Sequence, residues 1–414
     1  MDKLRTLLVV VLAAVACIVA RPVGALAENL RIGVVFPLSG PLALLGNEGL
    51  AAAKIARDMV NEKGGVKGKS IEFVVADAPD ATAANAEATR LIIREKVKLI
   101  AGSYSSAVCL AASEVAEREG AIYWETIAVA DKITTRGYKN IIRLTFNASM
   151  MGETAANFAK ELAGRLKIPP KNLRVAIISE DSDFGSSVGD AAAKQVKALG
   201  LTLVENERYN RTLTDLSSLV LRLKASRADV VIATSYLNDG ITFWRQAREL
   251  DLNLKAMIGI GTGYALPDFQ KSQGKYADGI FDVDAPVKPK IDGLLPATRK
   301  LYGEFQKRFV KQVGREPGPL ALISFGGFYT LFTDVLPQAG SLDPAKVKAA
   351  ALKLDLKKGS LLTGAGVKLN QNGQNTQALI SVMQWQNQKL VVVWPDNIKT
   401  SNAIMVPLPE WSKR

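Results

Sequence analysis

The sequence predicts an α/β protein of two doubly wound, Rossmann-like lobes with mostly parallel sheets. Short apolar runs alternate with amphipathic helical patterns, which is typical of β-α-β units. This alternation ends near residue 145 and begins again at Leu173, so the pattern favours two successive sheets. The length of 414 residues exceeds one ordinary core, and 48% apolar with 22% charged residues is typical of a globular protein.

The first half of the chain supplies the first predicted sheet. Its apolar runs are bounded by Gly-, Pro- and Ser-rich turns. Helical patterns at 46–62, 81–95 and 107–118 separate these runs, so each helix returns the chain to the same edge of the sheet. The predicted strands are residues 30–36, 70–76, 99–102, 121–124 and 140–144.

The second half repeats the pattern and then breaks it. Strands are predicted at 173–179, 202–206, 229–235, 255–260 and 279–283, with a turn at 183–187 and helices at 188–199, 216–225 and 240–250. Three helices (296–313, 318–336 and 344–354) and a hairpin (379–386 with 389–394) follow. Helices that cannot belong to the second sheet most simply return to the first lobe, which makes the lobes discontinuous in sequence.

The residue composition and motifs argue against several kinds of catalytic, metal and nucleotide sites. The chain has no histidine, which removes Ser-His-Asp and Cys-His pairings and the commonest metal ligand, so we expect a non-catalytic protein. An enzyme that uses Lys and carboxylates is the alternative. No cofactor is expected. Asp181 and Asp183 lack a third oxygen donor at EF-hand spacing, and no metal site is predicted. A dinucleotide loop at 258–263 would need glycine at Tyr264, which favours instead a tight loop near Gly261. No Lys/Arg run alternates with aromatic residues, so nucleic acid is not an expected partner.

Residues 1–27 have the pattern of a signal peptide. Lys3 and Arg5 precede an apolar run, and Ala25 and Ala27 supply the small residues of a cleavage site. A retained membrane anchor and a lipoprotein cut before Cys17 are the alternatives. Cleavage leaves 50 basic and 39 acidic residues, a net charge of +11, and a single cysteine, which excludes an intrachain disulfide. The expected location is the periplasm.

Two polar turns mark the candidate site, because small ligands bind beyond the carboxyl ends of parallel strands. One turn, at 103–106, follows the strand at 99–102, and the other, at 125–129, follows the strand at 121–124. Ser105 and Ser106 also open a helix, whose free N–H groups suit a carboxylate or another anion. Simple capping of the helix is the alternative interpretation of both serines.

Five segments carry a resemblance to a known family. They are IGVVFPLSGP at 32–41, NEKGGVKG at 61–68, TRGY at 135–138 followed by Ile142 and Arg143, DFG at 183–185, and YGEF at 302–305. In this order and spacing, over residues 28–395, the chain resembles the solute-binding proteins of ABC importers, in the Leu/Ile/Val-binding branch with the type I periplasmic binding fold.

The resemblance implies two lobes joined by a three-segment hinge, with crossovers near Phe146, Asp284 and Gly364. The lobes would close around a small polar solute. The first lobe would comprise residues 28–145 plus 285–363, and the second lobe residues 146–284 plus 364–414.

The resemblance also implies a ligand site. A Ser hydroxyl and backbone N–H groups of the first lobe hold the ligand carboxylate in relatives, and these match Ser106 and residues 127–129. Aromatic side chains of the second lobe cover the ligand, and these match Phe184 and Tyr236. Ile260 stands where relatives that bind amino acids have an acidic residue for the ammonium. The full set of expected ligand contacts is Ser105, Ser106, Glu125, Ile127, Ala128, Val129, Phe184, Tyr236, Ile260 and Gly261.

Two interpretations of Glu125 stay open, because a buried carboxylate needs a cation or a hydrogen-bond donor. It supplies the missing charge for an ammonium, or it pairs with a nearby Arg or Lys. In the second case the solute could be a carboxylate without an amine, or a neutral amide.

The expected function is capture of a small amino-acid-like or carboxylate solute by a monomer that delivers it to an inner-membrane ABC permease. The alternative is a periplasmic ligand sensor of the same fold that feeds a signalling receptor.

Overall fold

The computed structural model describes residues 29–287 and 291–414, so the predicted signal peptide and Cys17 lie outside the described residues. The first sheet has five strands, and all of its neighbouring pairs are parallel. Each strand is an apolar run between turns, as the sequence predicts. Their spatial order is Ile71–Asp77, Leu30–Phe36, Leu99–Gly102, Ile122–Glu125 and Ile141–Arg143.

The second sheet repeats this order and adds an antiparallel hairpin at one edge. Counted within each lobe, the parallel strands of both sheets follow the order 2-1-3-4-5 of doubly wound folds, which confirms the predicted fold class. The order of the second sheet is Lys389–Trp394, Ser381–Gln386, Phe281–Asp284, Ala256–Ile260, Val230–Thr234, Arg174–Glu180 and Thr202–Tyr209.

Helices cover both faces of each sheet, and π-helical segments at Arg90–Arg94 and Leu331–Val335 continue two of them. The helices are Ala43–Asn61, Ala81–Thr89, Ser106–Arg118, Lys132–Thr135, Ala148–Arg165, Asp183–Ala198, Ser217–Ala225, Leu237–Glu249, Thr262–Ala265, Pro267–Gln273, Pro296–Val313, Pro319–Thr330, Leu336–Ala339 and Pro344–Leu352.

The start of one helix differs from the prediction. Residues 183–187, expected as a turn, form the first turn of the Asp183–Ala198 helix. Ser182 is its N-cap, and the Ser182 hydroxyl accepts a 3.2 Å hydrogen bond from the Phe184 N–H. The glycine and serines that suggested a turn are therefore compatible with a capped helix end.

The helices that follow the second sheet return to the first lobe, as expected. Phe325 and Phe328 are fully buried in the same hydrophobic cluster as Phe36, and the Trp124 indole N–H donates a 3.1 Å hydrogen bond to the Gly327 carbonyl. Pro319–Ala339 is the one described helix that is long and apolar enough to cross a membrane, but 78% of its apolar 18-residue stretch is buried inside the protein. It is a core helix of the first lobe.

Three segments connect the lobes, and the third differs from the prediction. The first runs from Ile141–Arg143 to Ala148–Arg165, and the second runs from Phe281–Asp284 to Pro296–Val313. The third was expected near Gly364, but the chain stays with the first lobe until about residue 375.

Side-chain hydrogen bonds hold this stretch on the first lobe. The Asn375 side-chain amide donates to the carbonyl oxygens of Leu144, at 2.8 Å, and Gly366, at 3.0 Å. Val367 is fully buried in the first-lobe cluster. Residues 364–375 therefore belong with the first lobe and not, as the predicted boundary had it, with the second.

Candidate functional site

The carboxyl ends of the parallel strands of the two sheets face each other across a cleft that contains a small cavity. Counted as space open to the centre of a water molecule, its volume is about 40 Å³. The lobes are closed over it, because the rings of Tyr104 in the first lobe and Tyr236 in the second are 5.8 Å apart and meet edge to face. The lining residues are Tyr104, Ser106, Ile127, Val129, Phe146, Met151, Phe184, Tyr236, Gly261, Thr262, Asp284 and Ile323.

Six of the ten expected contact residues line this cavity: Ser106, Ile127, Val129, Phe184, Tyr236 and Gly261. Four do not: Ser105, Glu125, Ala128 and Ile260. Ile260 is fully buried in the second-lobe core, at the end of the strand Ala256–Ile260.

Ser106 forms the polar part of the first-lobe wall. It is the first residue of the helix Ser106–Arg118, and its hydroxyl oxygen accepts a 3.1 Å hydrogen bond from the Ala130 N–H. The hydroxyl proton remains available to donate into the cavity. The preceding Ser105 is the N-cap and makes no side-chain capping bond. A hydroxyl donor at a helix N-terminus suits an anionic group.

Glu125 does not take either of its two expected roles. Its carboxylate is fully buried and accepts hydrogen bonds from the N–H groups of Ser103 (2.8 Å), Thr126 (2.9 Å), Ile127 (2.7 Å) and Ala128 (2.8 Å). Burial raises the pKa of this carboxyl, and the N–H donors act in the opposite direction. Glu125 therefore fixes the shape of the turn that follows its strand.

This arrangement also corrects the expected carboxylate cradle. The N–H groups of Ile127 and Ala128 are occupied by Glu125, so they are not free to bind a ligand. The Val129 N–H forms no hydrogen bond with a described residue. Of the expected backbone donors, Val129 is therefore the one that can serve a ligand.

A buried arginine also stabilises the turn formed by residues 125–130. Arg143 is fully buried and donates to the side chain of Gln374 at 2.6 Å, the Ala130 carbonyl at 2.7 Å and the Thr134 hydroxyl at 3.2 Å. Desolvation lowers its pKa to about 10, so it stays charged at neutral pH. The 125–130 turn is thus held by the buried carboxyl group of Glu125 and the buried guanidinium of Arg143 before any ligand arrives.

Aromatic rings form the second-lobe wall. The Phe184 and Tyr236 rings are 5.4 Å apart, and burial raises the pKa of the Tyr236 hydroxyl, which stays protonated. Gly261 has φ +109°, and a Cβ there would lie 2.9 Å from the Phe184 ring, so glycine is required. The predicted tight loop near Gly261 is confirmed.

Six lining residues are not among the expected contacts: Tyr104, Phe146, Met151, Thr262, Asp284 and Ile323. Asp284 is the charged one, and in the sequence analysis it served only to mark a hinge crossover. It is 2% exposed and ends the strand Phe281–Asp284. One carboxylate oxygen accepts from the Ala285 N–H at 2.6 Å, and the other accepts from the Thr262 hydroxyl at 2.8 Å. The position itself was a usable signal, because Asp284 closes an apolar strand at the ligand-binding edge of the sheet.

No described lysine or arginine forms a salt bridge with Asp284. None of the described residues that line the cavity is a lysine or arginine. Burial raises the pKa of Asp284 to about 6, so its carboxylate is mostly ionised at neutral pH. The cavity therefore has hydrogen-bond donors on its first-lobe wall, an apolar body and one carboxyl group on the second lobe.

Comparisons with known proteins cover both lobes. A family model described as "Periplasmic binding protein" matches residues 29–389. "Leu/Ile/Val-binding protein homolog 8" of Brucella abortus is 37% identical over 372 residues, which cover 89% of this chain and 91% of that protein.

Two crystal structures have a similar fold. The leucine-binding protein LivK of Thermotoga maritima has a TM-score of 0.77 at 21% identity, over 89% of this chain and 99% of that one. A solute-binding protein of an ABC transporter from R. palustris, in complex with 4-hydroxybenzoate, has a TM-score of 0.74 at 22% identity, over 93% of this chain and 99% of that one.

Proposed function

Because the chain belongs to the periplasmic binding protein family, among the Leu/Ile/Val-binding proteins, we propose that it is the extracytoplasmic solute-binding component of an ABC importer. Its fold is the type I periplasmic binding fold. The proposed solute is a small amino-acid-like or carboxylate molecule held between the lobes.

The observation that carries the proposal is a cavity lined by both lobes at the carboxyl ends of their parallel strands and closed by contacts between the lobes. Ser106 and Val129 belong to the first lobe, and Phe184 and Tyr236 belong to the second. A solute that touches both walls binds the closed form better than an open form, so binding shifts the population towards closure. Closure then presents a distinct surface for a permease to recognise.

The chemistry of the lining supports a compact solute with one acidic end. The Ser106 hydroxyl and the helix N-terminus suit the carboxylate, and the side chains of Phe146, Met151 and Ile323 suit an apolar body. Leucine and 4-hydroxybenzoate, named for the two similar crystal structures, both have this form.

We propose that the protein binds its solute without changing it, since the chain has no histidine to act as a general base. We also propose that residues 1–27 are cleaved on export and that the mature protein works as a periplasmic monomer. The N-terminal mass of protein recovered from the periplasm tests cleavage after Ala27 against lipidation at Cys17.

A thermal-shift screen followed by calorimetry tests the function. Purified mature protein is mixed with leucine, isoleucine, valine, phenylalanine, benzoate, 4-hydroxybenzoate and branched aliphatic carboxylates. At least one compact carboxylate should raise the melting temperature and bind with 1:1 stoichiometry. Failure of all such carboxylates to bind would overturn the proposal, and conversion of a bound solute, followed by mass spectrometry, would overturn its non-catalytic part.

A further inference from the structure

We infer that Asp284 determines the solute class of this protein by binding an ammonium group, so that the solute is a zwitterion and not a plain carboxylate. The inference rests on the proposed function and deepens it. It assigns the ammonium contact to the end of the strand Phe281–Asp284, because Ile260, at the expected acidic position, is buried away from the cavity.

The first argument is the unbalanced charge of Asp284. Its two short hydrogen bonds come from neutral donors, the Ala285 N–H and the Thr262 hydroxyl. A carboxylate that is 2% exposed, with no lysine or arginine among the described residues that line the cavity, is costly to keep ionised. Each of its oxygens retains acceptor capacity, so a cation in the cavity would remove the cost.

The neighbouring Asp282 sharpens this argument. It lies two residues earlier on the same strand, is fully buried, and has no hydrogen-bond partner among the described residues for either carboxylate oxygen. Burial and the charge of Asp284 raise the pKa of Asp282 well above its usual range, which favours its neutral form. Asp282 does not line the cavity, so the carboxyl group that this strand presents to the cavity is that of Asp284.

The second argument is that Asp284 is held rigidly. Thr262 belongs to the helix Thr262–Ala265, which directly follows Gly261, and the Ser381 hydroxyl donates a 3.2 Å hydrogen bond to the Asp284 carbonyl. A carboxylate fixed from both its side chain and its backbone binds a cation without paying to become ordered.

The third argument links recognition to closure. A carboxylate at Ser106 contacts the first lobe, whereas an ammonium at Asp284 contacts the second lobe. A zwitterion bridges the lobes by charge at both ends, and both contacts exist together only when the lobes are closed. A plain carboxylate would instead bring a second negative charge into a cavity that already holds one.

Paired solutes and matched variants test the inference. Affinities are measured by calorimetry for leucine against 4-methylpentanoate, isoleucine against 3-methylpentanoate, and phenylalanine against 3-phenylpropanoate. The wild type should bind the amino acid of at least one pair at least tenfold more tightly than its des-amino partner. D284N should lose that preference, and D282N, an isosteric change on the same strand, should keep it.

Several results would overturn the inference. Equal or tighter binding of the des-amino acids by the wild type would show that the protein does not recognise an ammonium group, and the proposed function would stand. An unchanged preference in D284N would assign the ammonium elsewhere. Preference for 4-hydroxybenzoate over benzoate, with no amino acid bound, would show that Asp284 accepts a bond from a neutral hydroxyl.

A second measurement applies if D284N is too unstable to assay. Binding of the amino acid to the wild type is then measured by calorimetry near pH 6 in buffers of different ionisation enthalpy. An ammonium should displace a proton from Asp284, so the absence of proton release would count against the inference.

Discussion

Arg315, on the first lobe, donates a 3.2 Å hydrogen bond to the Asp268 carboxylate on the second lobe. Arg315 also pairs with Glu48 of its own lobe, whose side chain is 2% exposed. Leu266, two residues before Asp268, is buried in the first-lobe cluster. The Arg315–Asp268 pair thus connects the lobes beside an apolar contact, and neither residue lines the solute cavity.

We predict that D268N lowers solute affinity about 2–5-fold by weakening the closed form, which is the range expected of a partly exposed ion pair. Calorimetry gives the affinity, and small-angle scattering of the free protein gives the degree of closure. D190N is the matched control, because Asp190 pairs with Arg208 within the second lobe and both side chains are exposed. Identical affinities for the two variants would show that the Arg315–Asp268 pair does not favour closure.

Glu48 should make the stability of the free protein depend on pH. Its burial outweighs the attraction of Arg315 and raises its pKa from 4.5 to about 7. The folded form therefore binds this proton more tightly than the unfolded form. The stabilisation that results is complete below about pH 4.5 and is lost as pH rises through 7, by about 3 kcal/mol in all.

E48Q removes this titration, so its free energy of unfolding should not show the loss that the wild type shows as pH rises. The difference between the two proteins, E48Q minus wild type, should therefore increase by up to about 3 kcal/mol from pH 5 to pH 8. Urea unfolding at several pH values measures it. The comparison uses the change with pH, since loss of the Arg315 pair adds an offset at every pH. Parallel curves for the two proteins would mean that Arg315 keeps Glu48 ionised throughout.

We expect Glu125 to contribute to the stability of the free protein and not to contact the solute directly. In E125Q the side-chain amide cannot accept the four converging N–H groups as the carboxylate does, so we expect a loss of about 2–4 kcal/mol in the free energy of unfolding. E119Q, on the exposed Glu119, should have little effect. A stable E125Q protein that no longer binds any solute would restore Glu125 as a ligand contact.

Ser105 and Ser106 cannot be separated by sequence, but the structure separates them. S106A should weaken carboxylate binding by about 1–3 kcal/mol, since the anion loses one hydroxyl donor. S105A should change affinity much less, because Ser105 does not line the cavity. Calorimetry on both variants, with melting temperatures of the free proteins as the folding control, decides whether the two effects differ.

The architecture could be predicted because it depends on local patterns. Leu30–Phe36 and Leu99–Gly102 begin and end where the apolar runs begin and end, and Pro296–Val313 begins at a proline and ends before Gly314. The placement of Ser106 in the cleft followed from the same patterns, since parallel strands bring their carboxyl ends to one edge.

What the sequence could not predict depends on contacts between distant residues. The role of Glu125 requires a turn that folds back until four N–H groups meet one carboxylate. The late third crossover requires the Asn375 side chain to reach the Leu144 carbonyl, 231 residues earlier. In the sequence, Asp284 is an ordinary polar residue at the end of a strand. Its position in the cavity depends on Thr262 and on the first lobe, which the sequence pattern does not place beside it.

The pH dependence of binding should carry opposite signs for the two solute classes. The pKa of Asp284 is about 6, so about a quarter of it is ionised at pH 5.5 and nearly all of it at pH 7.5. An ammonium binds the ionised form. The affinity for the preferred amino acid should therefore fall about fourfold between pH 7.5 and 5.5, since only the competent fraction binds. Burial raises the pKa of Asp282 well above its usual range, and any protonation of Asp282 as pH falls would act in the same direction as that of Asp284. Burial also raises the pKa of the Tyr104 hydroxyl, which stays protonated over this range, so neither group reverses the sign.

A plain carboxylate such as benzoate would behave in the opposite way, because protonation of Asp284 removes a repulsion and affinity should rise as pH falls. D284N should be flat over this range for both kinds of solute, whereas D282N should follow the wild type. Calorimetric titrations at pH 5.5, 6.5 and 7.5 measure all of these slopes. A wild-type affinity for amino acids that does not change with pH, or that matches the slope of D284N, would show that Asp284 does not contact the solute's charge.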